Sequence, residues 1–281
     1  MKLNDIINKT VAKLAPHYGD SEAKWLTRTI IEHIKGWNQV DILMNGDKEL
    51  SEFIIGKIDD VVTRLLNDEP VQYIFGDTYW YGMTLKVSPD VLIPRPETSE
   101  LVDMIVKDNN ASDLKVIDVC TGSGCIAVAL ARNLPFASVT GIDISSKALA
   151  IAKENAEIQK AKVKLLQQDI LDETYSLPSG LDIIVSNPPY IAENEKRSMD
   201  ANVIDHEPSI ALFVPDDDPL KFYKRISDLS MASLNDNGKL YYEINPLYAT
   251  DLTEMMSHQG WTDIQLFKDI HGKNRFLRAI K

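Results

Sequence analysis

Two cysteines, no long apolar run, no block of basic residues and no internal repeat or low-complexity segment mark this chain by what it lacks. Cys120 and Cys125 stand five positions apart in one apolar stretch. That is neither a disulfide framework nor the C-x-x-C spacing of zinc and thioredoxin-type sites, so no metal and no redox role is expected. The longest apolar run, "CIAVALA" at 125–131, is far short of the roughly 20 residues that cross a bilayer, and "MKLNDIINKT" is polar and amphipathic rather than a secretory leader. No membrane partner is expected, and the location is read as cytoplasmic. Lys and Arg number 30 against 42 Asp and Glu, a net charge of −12, with no cluster of cations able to neutralise a row of phosphates. Direct nucleic acid binding is therefore not expected. His17, His33, His206, His258 and His271 form no triad and no ligand spacing.

What is present divides into two styles. With 281 residues and 44% hydrophobic content there is room for one large domain and a smaller one. Over residues 1–70 the apolar positions recur at helical spacing: Ile6, Ile7, Val11 and Leu14, then Leu26, Ile30, Ile31 and Ile34, then Leu50, Ile54, Ile58 and Leu65. This predicts a small bundle of amphipathic helices, broken at "HYGDSE", where Asp20 or Ser21 can cap, and at "MNGDKELSE". Residues 71–95 turn aromatic and β-branched with Gly and Pro, which predicts a hairpin linking two domains. "PETSELVDMIVKDN" then reads as a helix with Pro96 in its first turn.

From residue 114 onward apolar runs alternate with helical segments. "LKVIDV", "SVTGID", "KVKLLQQ" and "LDIIVSN" predict the strands of a parallel sheet covered on both faces, within an α/β domain over 96–281. "KLYYEIN", "TDIQLFKD" and "NRFLRAI" are strand-like too, and the last two form a hairpin that would add antiparallel strands at one edge.

The first of these strands runs into "DVCTGSGCIAVALA", where Gly122, Gly124 and Ala127 fit the G-x-G-x-x-A pattern of a backbone turn close to a ligand at a helix N-terminus. Asp143 closes the next strand, where a carboxylate can accept from both hydroxyls of a ribose. The same spacing serves nicotinamide, flavin and S-adenosylmethionine enzymes. Asp118 either meets a cationic amino group of the ligand or bonds backbone amides at a strand end. Asp169 and Ile170, after the third strand, would border an adenine ring.

"SNPPY" follows the fourth strand, so Asn187 stands at the carboxyl edge of the sheet. A residue before proline is held extended and each proline fixes its own φ, so the segment is a stiff bracket. Two acceptors, the Asn187 side-chain oxygen and the Pro188 carbonyl, suit the two N–H bonds of a planar NH₂ group conjugated to a carbonyl or a ring. Tyr190 would stack on the plane of that group. Such a nitrogen is a weak nucleophile, and the electrophile that suits it is the sulfonium methyl of S-adenosyl-L-methionine, approached in line and without a metal. Hydride chemistry has no use for such a bracket.

The set "DVCTGSG", Asp143 and "NPPY" resembles class I S-adenosylmethionine methyltransferases that act on planar amino groups of DNA, RNA or protein glutamine. "PVQYIFGDTYWYGMTLKVSPDVLIPRPETSELV" at 70–102, "EPSIAL" at 207–212 and "DIHGKNRFLRAI" near the end resemble, more narrowly, the release factor glutamine methyltransferases, the PrmC or HemK family. The resemblance implies a Rossmann-like, seven-stranded mixed sheet with a small all-helical N-terminal domain. It implies methylation of the glutamine amide in the Gly-Gly-Gln motif of class 1 peptide chain release factors, with S-adenosyl-L-homocysteine as product. Carried over, Cys120, Thr121, Gly122, Ser123, Gly124, Asp118, Asp143, Asp169, Ile170 and Asn187 are cofactor contacts. Asn187, Pro188, Pro189 and Tyr190 hold the glutamine, and Arg95 and Glu97 brace the wall of the site or form a local salt bridge that fixes the linker. The 1–70 bundle would grip the release factor, and the chain would act as a monomer. Three departures stand out: Cys120 replaces the usual glycine, "FVPDDDPL" replaces a glycine-containing segment, and "EINP" stands where "EIG" is usual. A base methyltransferase shares the chemistry at Asn187, and a non-catalytic cofactor-binding module leaves it without a purpose.

Overall fold

The computed structural model describes all residues, 1–281. It divides into two units: Met1–Gly76 with Ala201–His206, and Asp77–Asp200 with Glu207–Lys281. The smaller unit is helical, with α1 (Leu3–Tyr18), α2 (Asp20–Lys35), α3 (Gln39–Met44), α4 (Glu52–Leu65) and α5 (Val71–Phe75). Its core is the expected apolar stripe: Ile6, Leu14, Leu26, Ile30, Ile31, Ile58 and Leu65 are buried, while Ile7, Val11, Ile34 and Ile54 pack at its margin.

Three local expectations change. Neither Asp20 nor Ser21 caps α2; Gly19, at φ +78°, ends α1 and starts α2, a conformation that costs glycine nothing. Helix α3 was not anticipated, because Leu43 and Met44 are exposed and blur the periodicity. Its start is nonetheless written locally: Asn38 accepts from the Val40 and Asp41 amides, and Asp41 accepts from the Asn38 amide. Residues 71–75, read as part of the hairpin, form the short helix α5 between Pro70 and the left-handed Gly76, so the boundary falls at 76 rather than 70.

The larger unit opens with the hairpin β1 (Asp77–Trp80) and β2 (Met83–Lys86), followed by α6 (Pro96–Asp108) with Pro96 in its first turn. Then come β3 (Lys115–Val119), α7 (Cys125–Asn133), β4 (Ser138–Asp143), α8 (Ser146–Ile158), β5 (Val163–Gln167), β6 (Leu181–Ser186) and β7 (Ile191–Ala192). After α9 (Ala201–His206), which belongs to the smaller unit, the chain returns through β8 (Phe213–Val214), α10 (Lys221–Ser233), β9 (Leu234–Glu243), α11 (Ala249–His258), β10 (Thr262–Lys268) and β11 (Asn274–Ile280).

Seven strands form one mixed sheet in the order β10-β11-β9-β6-β3-β4-β5, and β7 pairs with β8 separately. Its five body strands are mutually parallel, as the continuous apolar runs require. Only β11 opposes them: it pairs antiparallel with β9 and with β10, so β10 runs with the body rather than against it. Successive residues of one strand enter different cores. Val116, Ile183, Val185 and Tyr241 face α6 and α7, whereas Ile117, Ile184, Leu240 and Tyr242 face α10 and α11. No helix is long and apolar enough to cross a membrane.

Candidate active site

β3 pairs with β4 on one side and β6 on the other, so the chain reverses direction across the sheet at β3. Ligands of open α/β sheets sit outside the carboxyl ends at such a switch point. Here the ends are Val119, Asp143 and Ser186, and a cavity of about 270 Å³ opens there. Its lining includes Cys120 to Ser123, Asp143, Asp169, Ile170, Asn187 and Pro189, together with Arg95 and Thr98 from the linker and α6. Residues far apart in sequence are thus brought to one site.

The glycine loop is built by hydrogen bonds beneath it. The Thr121 amide donates to the Ile142 carbonyl at 2.9 Å and the Gly124 amide to the Thr121 carbonyl at 2.8 Å. Asp118 is fully buried, and one carboxylate oxygen accepts from the Thr121 hydroxyl at 2.5 Å and the Ala127 amide at 3.1 Å. Asp118 does not line the cavity and supports the loop from below through these bonds. Its second oxygen has no partner, and burial raises its pKa to about 7. Gly124, expected among the cofactor contacts, is also absent from the lining. At φ +77° a Cβ would stand 2.9 Å from that of Ala152, so this glycine lets α7 lie against α8. Gly122 differs, because a Cβ there would meet nothing within 4 Å.

Cys120 occupies the left-handed region at φ 61°, the conformation for which glycine is usual, and its thiol pKa is driven upward by burial. It is a strained lining residue with a protonated thiol. Asp143 accepts from the Gly122 amide and the Ser145 amide, both at 2.9 Å, and burial raises its pKa against those bonds. Asp169 lines the cavity and accepts from the Leu171 amide at 2.8 Å.

At the other side of the cavity, Asn187 is half-buried, Pro188 and Pro189 are buried, and Tyr190 is half-buried with its hydroxyl donating to Glu243 at 3.2 Å. Pro189 lines the cavity, while Pro188 and Tyr190 stand outside its lining. Arg95 and Glu97 do not pair with each other. Arg95 donates to the buried Glu207 at 2.6 Å, which also accepts from the Ile93 amide at 3.2 Å, so this carboxylate pins the linker where it passes the cavity. Glu97 lies 4.0 Å from His271 and outside the lining.

Several residues of the site escape sequence reasoning. Glu207, Thr98 and Glu243 bond across 112 and 145 residues. Asn155 is fully buried on α8, accepts from the Lys86 amide at 2.6 Å, and donates to the carbonyls of Lys86 and Ser123 at 3.0 and 2.9 Å, tying the hairpin to the glycine loop. Its signal was a polar residue on a stripe of Ala148, Ala152 and Ala156. Asn245, in the "EINP" departure, donates to the Tyr190 carbonyl at 3.1 Å and to Glu195 at 2.9 Å, contacts no glycine could make.

Comparison with known proteins agrees with this geometry. Residues 97–208 match the family described as methyltransferase small domain, and residues 5–76 match the PrmC N-terminal domain. A release factor glutamine methyltransferase of Bacteroides thetaiotaomicron is 46% identical over 93% of the chain and 94% of its own length. One from Flavobacterium psychrophilum is 38% identical over 99% of both. Among solved structures, a methyltransferase from Pyrococcus furiosus superposes with a TM-score of 0.52 at 15% identity, covering 79% of this chain and 98% of that one. A 16S rRNA methyltransferase of T. thermophilus, in complex with AdoMet and guanosine, gives 0.53 at 19% identity over 73% of this chain and 49% of that one. These two show the class I methyltransferase fold.

Proposed function

The chain belongs to the release factor glutamine methyltransferase family, and from that membership we propose that it methylates the side-chain amide nitrogen of the glutamine in the Gly-Gly-Gln motif of class 1 release factors, in the cytoplasm. The observation that carries this reading is the meeting of Asn187 with the glycine loop and Asp143 in one cavity, beneath a linker held by Arg95 and Glu207.

The residues present fit S-adenosyl-L-methionine. Asp143 offers a carboxylate to ribose hydroxyls, Ile170 offers an apolar surface to a ring, and the space over Gly122 is open where a side chain would fill it. When bound, this cofactor supplies an electrophilic methyl carbon. The protein's own part is positioning. Asn187 Oδ1 and the Pro188 carbonyl accept from the two N–H bonds of the glutamine amide, turning its lone pair out of conjugation and toward the cavity. Tyr190, anchored through its hydroxyl, bounds the plane of the amide. The stiffness of two consecutive prolines keeps the two acceptors in register. The nitrogen after transfer is acidic enough to lose its proton to water, so no strong base is needed.

Incubation with radiolabelled S-adenosyl-L-methionine and purified release factor, free RNA or free DNA tests the reading. Label is expected on the release factor at its Gly-Gly-Gln glutamine; label on nucleic acid alone would overturn the assignment. Asn187→Ala should abolish transfer while cofactor binding largely survives, and near-normal turnover by that variant would sink the bracket mechanism.

A further inference from the structure

An asparagine amide presents an oxygen and an NH₂ of nearly equal shape, and only the oxygen can hold the substrate's N–H. Something must therefore decide which end of Asn187 faces the cavity. Its Nδ2 lies 3.4 Å from Thr98 Oγ1, a long contact, and Thr98 is itself buried on the first turn of α6. The Thr98 hydroxyl donates at 2.6 Å to Glu243, the last residue of β9, buried at 1% exposure. A hydroxyl carries one proton. Once that proton is committed to a carboxylate, Oγ1 has only lone pairs left for Asn187, and it can accept from NH₂ but cannot donate to Oδ1.

Resting on the reading of Asn187 above, we propose that Glu243 and Thr98 are positioning residues for methyl transfer: a carboxylate-to-hydroxyl relay that fixes the polarity of the Asn187 amide and turns Oδ1 toward the substrate nitrogen. Glu243 also accepts from the Tyr190 hydroxyl at 3.2 Å, so one carboxylate sets the residues at both ends of the proline pair. A flipped Asn187 would aim its NH₂ at the substrate's NH₂, donor against donor, and would lose half of the two-acceptor grip. Neither Thr98 nor Glu243 needs to touch the reacting atoms.

Thr98→Val keeps the shape and removes both hydrogen-bonding roles, while Thr98→Ser keeps the hydroxyl. Release factor methylation and S-adenosyl-L-methionine binding are measured on the full-length chain for both variants, with Glu243→Gln in parallel. For Thr98→Val, kcat should fall about 10- to 100-fold, the scale expected when a positioning group lets a reactant drift, with the cofactor Kd within about twofold of wild type; Glu243→Gln, whose amide oxygen still accepts from Thr98, should lower kcat less. Thr98→Ser should recover kcat to within about threefold. A Thr98→Val enzyme with unchanged kcat overturns the relay, as does a Thr98→Ser enzyme as impaired as the valine variant, which would mean packing alone matters. A wild-type chain that leaves the release factor unlabelled overturns this inference and the proposed function together; labelling by wild type with normal turnover by Thr98→Val overturns the relay alone.

Discussion

Asp118→Asn should remove a pH dependence of stability whose size follows from the burial of this carboxyl. In the folded chain its pKa rises from 3.8 to about 7, first through loss of hydration, against the bonds from Thr121 and Ala127. A carboxyl whose folded pKa lies above its unfolded value is stabilising below the unfolded value. That contribution is lost as pH climbs through the folded one. The window runs from about pH 4 to about pH 7, and roughly three units at ~1.4 kcal/mol each set an upper scale of ~4 kcal/mol. Asparagine keeps an acceptor for Thr121 and Ala127 and carries no charge to bury. Its amide NH₂ would stand where the unpartnered oxygen stands now, at a cost of ~1–3 kcal/mol that does not vary with pH. Urea unfolding of both proteins at pH 4.5 and 8.5 should show asparagine gaining on wild type by several kcal/mol between the two, on the order of the ionisation cost. A stability difference that stays flat with pH would refute the argument that Asp118 is buried at the expense of its charge.

Gly124→Ala should destabilise the chain by ~2–3 kcal/mol, because it combines a strained φ with a contact against Ala152 that backbone must relieve. Adding Ala152→Gly should recover the contact part of the loss in thermal unfolding, and no recovery would place the cost in φ alone. Asn155→Ala leaves three backbone groups of Lys86 and Ser123 unpaired, for a loss of ~3 kcal/mol. Faster amide exchange confined to Met83–Lys86 and the glycine loop is the expected signature, and unchanged exchange there would show that the hairpin is held by something else.

The body of the fold was legible because buried parallel strands are written as unbroken apolar runs, and "KVIDV" and "DIIVS" leave little else to be. The place of "SNPPY" at the carboxyl end of a strand was legible because the apolar run before it marks β6 and the prolines end it. Less visible were elements decided by context: α3 exposes Leu43 and Met44, and α5 depends on Pro70 and Gly76 at its ends. The direction of β10 was misread because a hairpin says only that its two strands oppose each other. Which one lies against β9 is settled by the sheet. The partners of Arg95, Thr98 and Asn155 were hidden for a different reason. Residue type tells what a side chain can donate or accept, but Glu207, Glu243 and Lys86 become its partners only after more than sixty residues of chain have folded back. Asp118 shows the same limit, since a carboxylate at a strand end reads alike whether it faces a ligand or supports a loop.

The membership of Ala201–His206 in the smaller unit bears on how the chain is made. The ribosome releases Met1–Gly76 before the rest, yet a helix of that unit is synthesised only after Asp77–Asp200, a delay on the order of ten seconds at ~5–20 residues per second. His206 Nε2 then donates to the Asn67 carbonyl at 3.1 Å, 139 residues back. The first unit to emerge is thus among the last to be completed, and a chain cut after Gly76 would carry an N-terminal unit lacking one of its own helices.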